Sequence, residues 1–188
     1  MSARSLLTQA LFHPRSVGTV APSSEALAEK MVSAIPHPNV GQIIEIGAGT
    51  GPVTRALVNH GVTAQQLLVV EMNRPLGLSL RKSFPHLDVA IADAQFIPFL
   101  LRDMGRPSTV HAVVSSLAFR SMPHHARAPI LHAINQVLEP GGVLVQFTYG
   151  WSSPITPEEC QRHRWEHEKV GLVLKNLPPA TIHRYWKR

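Results

Sequence analysis

The chain has 188 residues, 44% hydrophobic and 16% charged, enough for one domain around a single core and too apolar for a disordered segment. A lone cysteine, Cys160, excludes a disulfide framework and a cysteine metal site, and no apolar run nears the roughly 20 residues of a membrane-spanning helix. The 18 Lys and Arg exceed the 12 Asp and Glu by 6, which points to an anionic partner, either nucleic acid or an anionic membrane surface.

In chain order, the start MSARSLLTQALFHPRSVG lacks the long apolar core and cleavage site of a secretory signal. Its stretch RSLLTQALFHP places Leu6, Leu7, Ala10 and Leu11 on one helical face, with Arg4 and Arg15 nearby and no acid. That predicts a short amphipathic helix, lying in a membrane interface or packed on the protein's own core. Residues 1–24 are therefore set apart as a membrane-associating segment, ahead of a domain over 25–188. QIIEIG (42–47) predicts a buried strand and PVTRALVNHG (52–61) a helix opened by proline and stopped by Gly61. Strands follow at 66–73 and 87–94, with a helix at 74–84 between them. A helix at 96–105 is interrupted by Pro98. A fourth strand spans 110–119, a long helix 123–142, closed by a Pro-Gly-Gly turn, and a fifth strand 143–150. The tail reads as a helix running into a strand over PEECQRHRWEHEKVGLVLK, then a final strand in PPATIHRYWKR. Strand and helix in alternation predict an α/β, doubly wound, mainly parallel sheet in one domain.

EIGAGTG (45–51) ends the first strand and opens the first helix, where such folds bind ligands. Glycine there permits a tight turn and brings backbone N–H groups close to a ligand. The dinucleotide fingerprint wants G-x-G-x-x-G, but Pro52 stands where its last glycine would fall. E-x-G-x-G-x-G instead resembles motif I of class I S-adenosylmethionine-dependent methyltransferases, whose sheet is Rossmann-like and seven-stranded. The resemblance implies that Glu45 meets the methionyl ammonium, directly or through water, and that Gly47, Ala48, Gly49 and Gly51 lie against the cofactor's amino-acid end. Glu71, 20 residues past Gly51 at the second strand's end, stands where an acid accepts both ribose hydroxyls. The same pattern assigns Asp93 to the adenine amine, with a backbone N–H of Ala94 or Gln95 facing the ring; Asp93 also fits a helix N-cap. Met72 and Phe96 either line the adenine faces or pack in the core. S-adenosylmethionine is thus the expected cofactor and S-adenosylhomocysteine its product.

FHPRSVGTVAPSSEALAEKM, IIEIGAGTGPVTRAL, QFTYG and KNLPPATIHRYWKR together resemble the soluble bacterial phospholipid N-methyltransferases over most of the chain. That family converts phosphatidylethanolamine stepwise to phosphatidylcholine. Its likeness implies a cytoplasmic enzyme, peripheral on the inner face of the cell membrane, with phosphatidylethanolamine as substrate and anionic lipid as partner. Ribosomal RNA adenine dimethylases share the cofactor block, but show Asn-Leu/Ile-Pro-aromatic after the fourth strand. Here Ser115-Ser116-Leu117-Ala118-Phe119 has neither asparagine nor proline, and Ala118 stands where the lipid enzymes commonly carry proline. Nucleic-acid amine methylation is the alternative function; a binding module without activity is a third. Topology sets Tyr149, Ser115 and Ser116 at the rim where an amine would be oriented, and the His124–His125 pair where a proton could be relayed. His183, Arg184 and Tyr185 are expected to hold the lipid phosphate. The basic residues from Arg162 to Arg188 would attract an anionic surface of lipid or RNA. The 11 histidines lack partners at ligand spacing, so no metal site is expected.

Overall fold

The computed structural model describes residues 22–174 and 178–187, with side chains from Glu25 onward. The expected amphipathic helix around Leu6 and Leu11, and nearly all of the 1–24 segment, lie outside the described residues. In chain order come α1 (Pro22–Val32), β1 (Ile43–Ile46), α2 (Pro52–Asn59), β2 (Leu67–Val70), α3 (Arg74–Ser83) and β3 (Asp88–Ala90). A 3-10 turn (Ala94–Phe96) leads into α4 (Ile97–Asp103), then β4 (Val110–Ser115), α5 (His124–Val137) and β5 (Leu138–Tyr149). The described chain closes with α6 (Pro157–His163), β6 (Trp165–Val173) and β7 (Ala180–Lys187).

The strands form one sheet in the order β3-β2-β1-β4-β5-β7-β6. β1 to β5 pair in parallel, and β7 runs antiparallel between β5 and β6. Strand order reverses at β1, which lies between β2 and β4. The crevice at this reversal is where a doubly wound sheet binds its ligand. β1 and β2 are buried at every position, as expected of central parallel strands covered on both faces. One core joins α1, α2 and α3 to one face of the sheet through Met31, Leu57, Leu80, Val114 and Val145. The other joins α4 and α5 to the opposite face through Leu101, Ile130, Ile134, Ile44 and Leu144.

Local chemistry accounts for the element ends. α2 starts after Gly51, which has φ +86°, with Pro52 in its first turn. It ends at Gly61, φ +82°, where Gly61 N–H donates to the Val58 carbonyl and Val62 N–H to that of Leu57. Thr156 and Glu159 cap α6 reciprocally. Pro98, expected to interrupt a helix over 96–105, instead lies in the first turn of α4, where its missing N–H costs nothing. The expected fourth strand stops at Ser115, so residues 116–119 are loop. β5 starts at Leu138 rather than 143: Leu138 pairs with Val110, then Val143 with Ala112, and the Glu139–Gly142 segment bulges between them.

Candidate functional site

A cavity of about 630 Å³ opens at the carboxyl ends of β1 to β4. The glycine loop forms its floor. Gly47 N–H donates to the Val70 carbonyl, Gly49 N–H to Glu71 Oε2 at 2.8 Å, and Gly51 N–H to the Ala48 carbonyl. All three glycines have positive φ, but space separates their roles. A Cβ on Gly47 would fall 2.7 Å from Leu117 Cδ2, and one on Gly51 2.9 Å from Leu80 Cδ2. One on Gly49 would meet nothing within 4 Å, because Gly49 opens onto the cavity.

Of the three expected carboxyl groups, Glu71 and Asp93 line the cavity and the buried Glu45 does not. Glu45 is fully buried in β1. Its Oε2 accepts the Thr54 hydroxyl at 2.6 Å, while Oε1 has no partner in the protein. Burial pushes its pKa up to about 7, against the lowering effect of Thr54 and with a smaller contribution from Glu71. Glu71 lines the cavity; its Oε1 accepts Asn73 N–H at 2.8 Å as its Oε2 accepts Gly49 N–H. Each of those oxygens keeps a second lone pair, enough for two hydroxyl donors. Asp93 caps the 3-10 turn by accepting Gln95 N–H at 3.0 Å and the Gln95 side-chain amide at 3.1 Å, and it also lines the cavity. The N-cap and ligand-edge readings of Asp93 thus coincide. Ala94, Gln95 and Met72 share the wall; Phe96 stands outside it, edge-on to Phe99.

The far wall comes from the loop after β4 and the start of α5: Ser116, Leu117, Ala118, Met122 and His125 among others. Of the expected serine pair only Ser116 lines the cavity. Ser115 is buried, and its hydroxyl accepts Leu117 N–H at 3.3 Å. His125 lines the wall, whereas His124, the first residue of α5, is exposed and does not. Pro129, also in the wall, lacks the N–H that would meet the His125 carbonyl, leaving that carbonyl without its helical donor.

Tyr149 does not line this cavity. Along β5 the odd positions Val143, Val145, Phe147 and Tyr149 face the α1 side, and Tyr149 packs there edge-on to Phe147 at 5.4 Å. The tail residues are also displaced from the expected phosphate grip. β7 runs antiparallel, so its start, Ala180, reaches the ligand edge beside Tyr149, while Arg184 and Tyr185 pair mid-sheet with Val145 and Leu144. Tyr185 is buried with its hydroxyl 2.6 Å from Ser153 Oγ, and burial pushes its pKa up. His183 is buried against His167 at 2.8 Å; burial, then the neighbouring His167, Lys169 and Arg120, push its pKa down to about 4. A neutral buried imidazole offers no charge to a phosphate. Arg184 pairs with Glu168 and donates to the Ala34 carbonyl at 3.2 Å.

Gln146 was not singled out by sequence reading. It is fully buried on the cavity side of β5, and its side-chain amide donates to the Leu117 carbonyl at 2.8 Å, holding the far-wall loop. A lone amide in the apolar strand VLVQF was the available signal.

The cavity fits one chemistry better than another. A phosphate would meet carboxyl groups, and the loop's Gly49 N–H is already taken by Glu71. Glu71 and Asp93 present acceptors that suit a diol and an amine, whereas the partnerless Glu45 oxygen is fully buried and does not line the cavity. These are the acceptors that the resemblance to class I methyltransferases implies for the cofactor. Residues 43–142 match the family model described as methyltransferase domain, and the chain belongs to that family, as a S-adenosylmethionine-dependent methyltransferase. An ornithine lipid N-methyltransferase of Singulisphaera acidiphila is 28% identical over 89% of this chain and 87% of its own. A ribosomal RNA small subunit methyltransferase A of Acidobacterium capsulatum is 29% identical over 65% of this chain; the match spans only 42% of that relative. Among solved structures, the 1,6-didemethyltoxoflavin N1-methyltransferase of Burkholderia thailandensis, bound to its substrate and S-adenosylhomocysteine, superposes with a TM-score of 0.67. It is 11% identical and covers 98% of this chain and 87% of that one.

Proposed function

We propose that this chain methylates the amine of a membrane lipid headgroup, with phosphatidylethanolamine as the acceptor, taken through mono- and dimethyl forms to phosphatidylcholine. The observation that carries the reading is the far wall. An enzyme that grips a nucleobase amine needs an amide and a stacking aromatic there, and Ser116-Leu117-Ala118 supplies a hydroxyl and apolar surface instead. The likeness to an ornithine lipid N-methyltransferase over most of both chains supports a lipid amine as the broader class.

The cofactor supplies a methyl group activated on a sulfonium. Gly49 keeps the loop open to its amino-acid end, Glu45 Oε1 and Glu71 accept its ammonium and ribose hydroxyls, and Asp93 accepts the adenine amine. Gln95 N–H is already engaged by Asp93, which leaves Ala94 as the backbone donor toward the ring. The acceptor amine must be neutral before its lone pair can attack in line. Ser116 and the His125 imidazole are the polar side chains on the far wall, and His125 takes the proton from the amine there. Residues 1–24 with their Leu6, Leu7 and Leu11 face, and the basic tail, are proposed to hold the enzyme peripherally on the inner, anionic face of the cell membrane.

Two amine acceptors compete. The ribosomal RNA relative favours an adenine amine in nucleic acid, and the cationic chain would suit either. Expression in a bacterium lacking phosphatidylcholine, followed by lipid extraction, tests the first: mono-, di- and trimethylated headgroups are expected. Purified protein that transfers methyl groups to unmodified small-subunit ribosomal RNA, and to neither phosphatidylethanolamine nor ornithine lipid, would replace the lipid reading with the nucleic-acid one.

A further inference from the structure

Two of the most exposed apolar side chains among the described residues are Trp151 and Leu174, at 69% and 72% exposure. Trp151 follows the end of β5 and Leu174 the end of β6. Tyr149, Ala180 and Val173 are register partners across β5, β7 and β6, so both side chains stand at the sheet end that carries the ligand cavity. Arg120, in the loop that walls the cavity, donates to the Ser152 carbonyl at 3.2 Å and so ties that loop to the Trp151 segment. The Lys169 ammonium lies 4.8 Å over the Trp151 ring. Lys169 and Arg120 are both exposed.

An indole with an apolar body and a polar N–H favours the boundary between hydrocarbon and water. Cations beside it add attraction to an anionic surface and reach only about a Debye length. Apolar exposure of this kind beside a cavity mouth marks an interaction surface. Its chemistry, tryptophan and leucine flanked by lysine and arginine on a chain of net charge +6, complements an anionic bilayer.

We propose that the Trp151 segment and the end of β6 form a docking rim that inserts into the interface of an anionic membrane, turning the mouth of the cavity toward the lipid headgroups. The rim is separate from residues 1–24 and rests on the lipid reading of the acceptor.

The test uses the full chain and vesicles of phosphatidylethanolamine mixed either with phosphatidylglycerol or with phosphatidylcholine. Trp151→Ala lowers partition onto the phosphatidylglycerol vesicles by about tenfold, since an interfacial apolar side chain of this size is worth that much. Leu174→Ala has a smaller effect in the same direction, and Lys169→Gln flattens the difference between the two vesicle types. Cofactor binding, and methyl transfer to phosphatidylethanolamine dispersed in detergent, stay unchanged in all three. Partition of a Trp151→Ala, Leu174→Ala double variant equal to that of the unaltered chain overturns the proposal. So does a Trp151 fluorescence contribution shielded from a soluble quencher with no vesicles present, because the rim is then covered by this chain or by a second copy. If partition depends on Trp151 while the unaltered chain methylates no dispersed lipid, the rim stands and the lipid-acceptor reading falls.

Discussion

Glu45→Gln separates what the fold wants from what the site wants. The buried Glu45 carboxyl titrates near pH 7 in the folded chain against 4.5 ordinarily. Below about pH 4.5 both folded and unfolded chains hold the proton, and Glu45 contributes no pH-dependent term. As pH rises from 4.5 to 7 the unfolded chain gives up its proton while the folded chain keeps it, so stability falls; above 7 the loss is complete. With a difference of 2.5 units and about 1.4 kcal/mol per unit, the penalty at pH 8 is roughly 3 kcal/mol. The amide keeps an acceptor for the Thr54 hydroxyl and carries no charge. The variant is therefore expected to be more stable than the parent at pH 8, by a melting-temperature rise of about 5–10 °C for a chain of this size. At pH 4.5 the two should melt together. Cofactor affinity should move the other way. Losing one charge-assisted bond costs about 1.5–3 kcal/mol, or tenfold and more. Because the ammonium favours the carboxylate, binding at pH 6 should also release a proton, read by calorimetry as a dependence of the binding enthalpy on buffer ionisation, and this release should vanish in the variant. Equal melting at pH 8, or an unchanged cofactor Kd, would refute the assignment of Glu45.

Gly47→Ala and Gly49→Ala should fail differently: the Gly47 Cβ strikes Leu117 Cδ2 at 2.7 Å and should cost about 1–3 kcal/mol of stability by denaturant titration. Gly49→Ala, with open space before it, should cost about 1 kcal/mol of stability yet weaken S-adenosylhomocysteine binding more than Gly47→Ala does, checked by calorimetry. Gln146→Leu removes the side-chain donor that the Leu117 carbonyl shares with Phe119 N–H, so kcat should fall by roughly tenfold or more through lost orientation while cofactor Kd holds; steady-state kinetics with either lipid or RNA acceptor reads this. The half-buried Arg127 and the buried Glu159 form an ion pair at 2.8 Å. Arg127→Ala should destabilise by about 3–5 kcal/mol, and Arg127→Met with Glu159→Gln by clearly less, measured by urea unfolding.

The parts legible in the sequence are those whose chemistry is local. Glycines alternating after an apolar run, a proline in the next turn and an acid at each of three strand ends located β1, β2, β3 and the cavity they surround. What was not legible depends on partners distant in the chain. Tyr149 closes β5 as expected, but side-chain parity is set by which face the strand buries, and Phe147 and Tyr149 fall on the α1 side. Ala180–Lys187 in the tail is a strand as expected, yet nothing local says that it inserts antiparallel between β5 and β6. That insertion carries His183 and Tyr185 into the sheet interior and away from the ligand edge. Gln146 shows the converse: its strand is plain from the sequence, and its role appears only when the Leu117 loop folds over it.

This division follows from how a doubly wound sheet is built. β1, β2 and β3 lie on one side of the strand-order reversal, and their carboxyl ends carry Glu45, Glu71 and Asp93, so the proposed cofactor half rests on three strand ends and one turn. β4 and β5 lie on the other side, and the acceptor half is made by the loop from Ser116 to Met122, the start of α5 and a buried amide beneath them. A class of enzymes sharing one cofactor can hold the first half constant while the second varies with the acceptor. In this chain the two halves touch where Leu117 packs against Gly47, so close that a methyl group at Gly47 has no room. Positioning of the proposed acceptor wall is thus tied to the loop proposed to hold the cofactor. A substitution at Leu117 to alanine should accordingly lower turnover on the acceptor and weaken the cofactor together. A Leu117→Ala variant that loses turnover with the cofactor Kd intact would show that the contact serves the acceptor side alone.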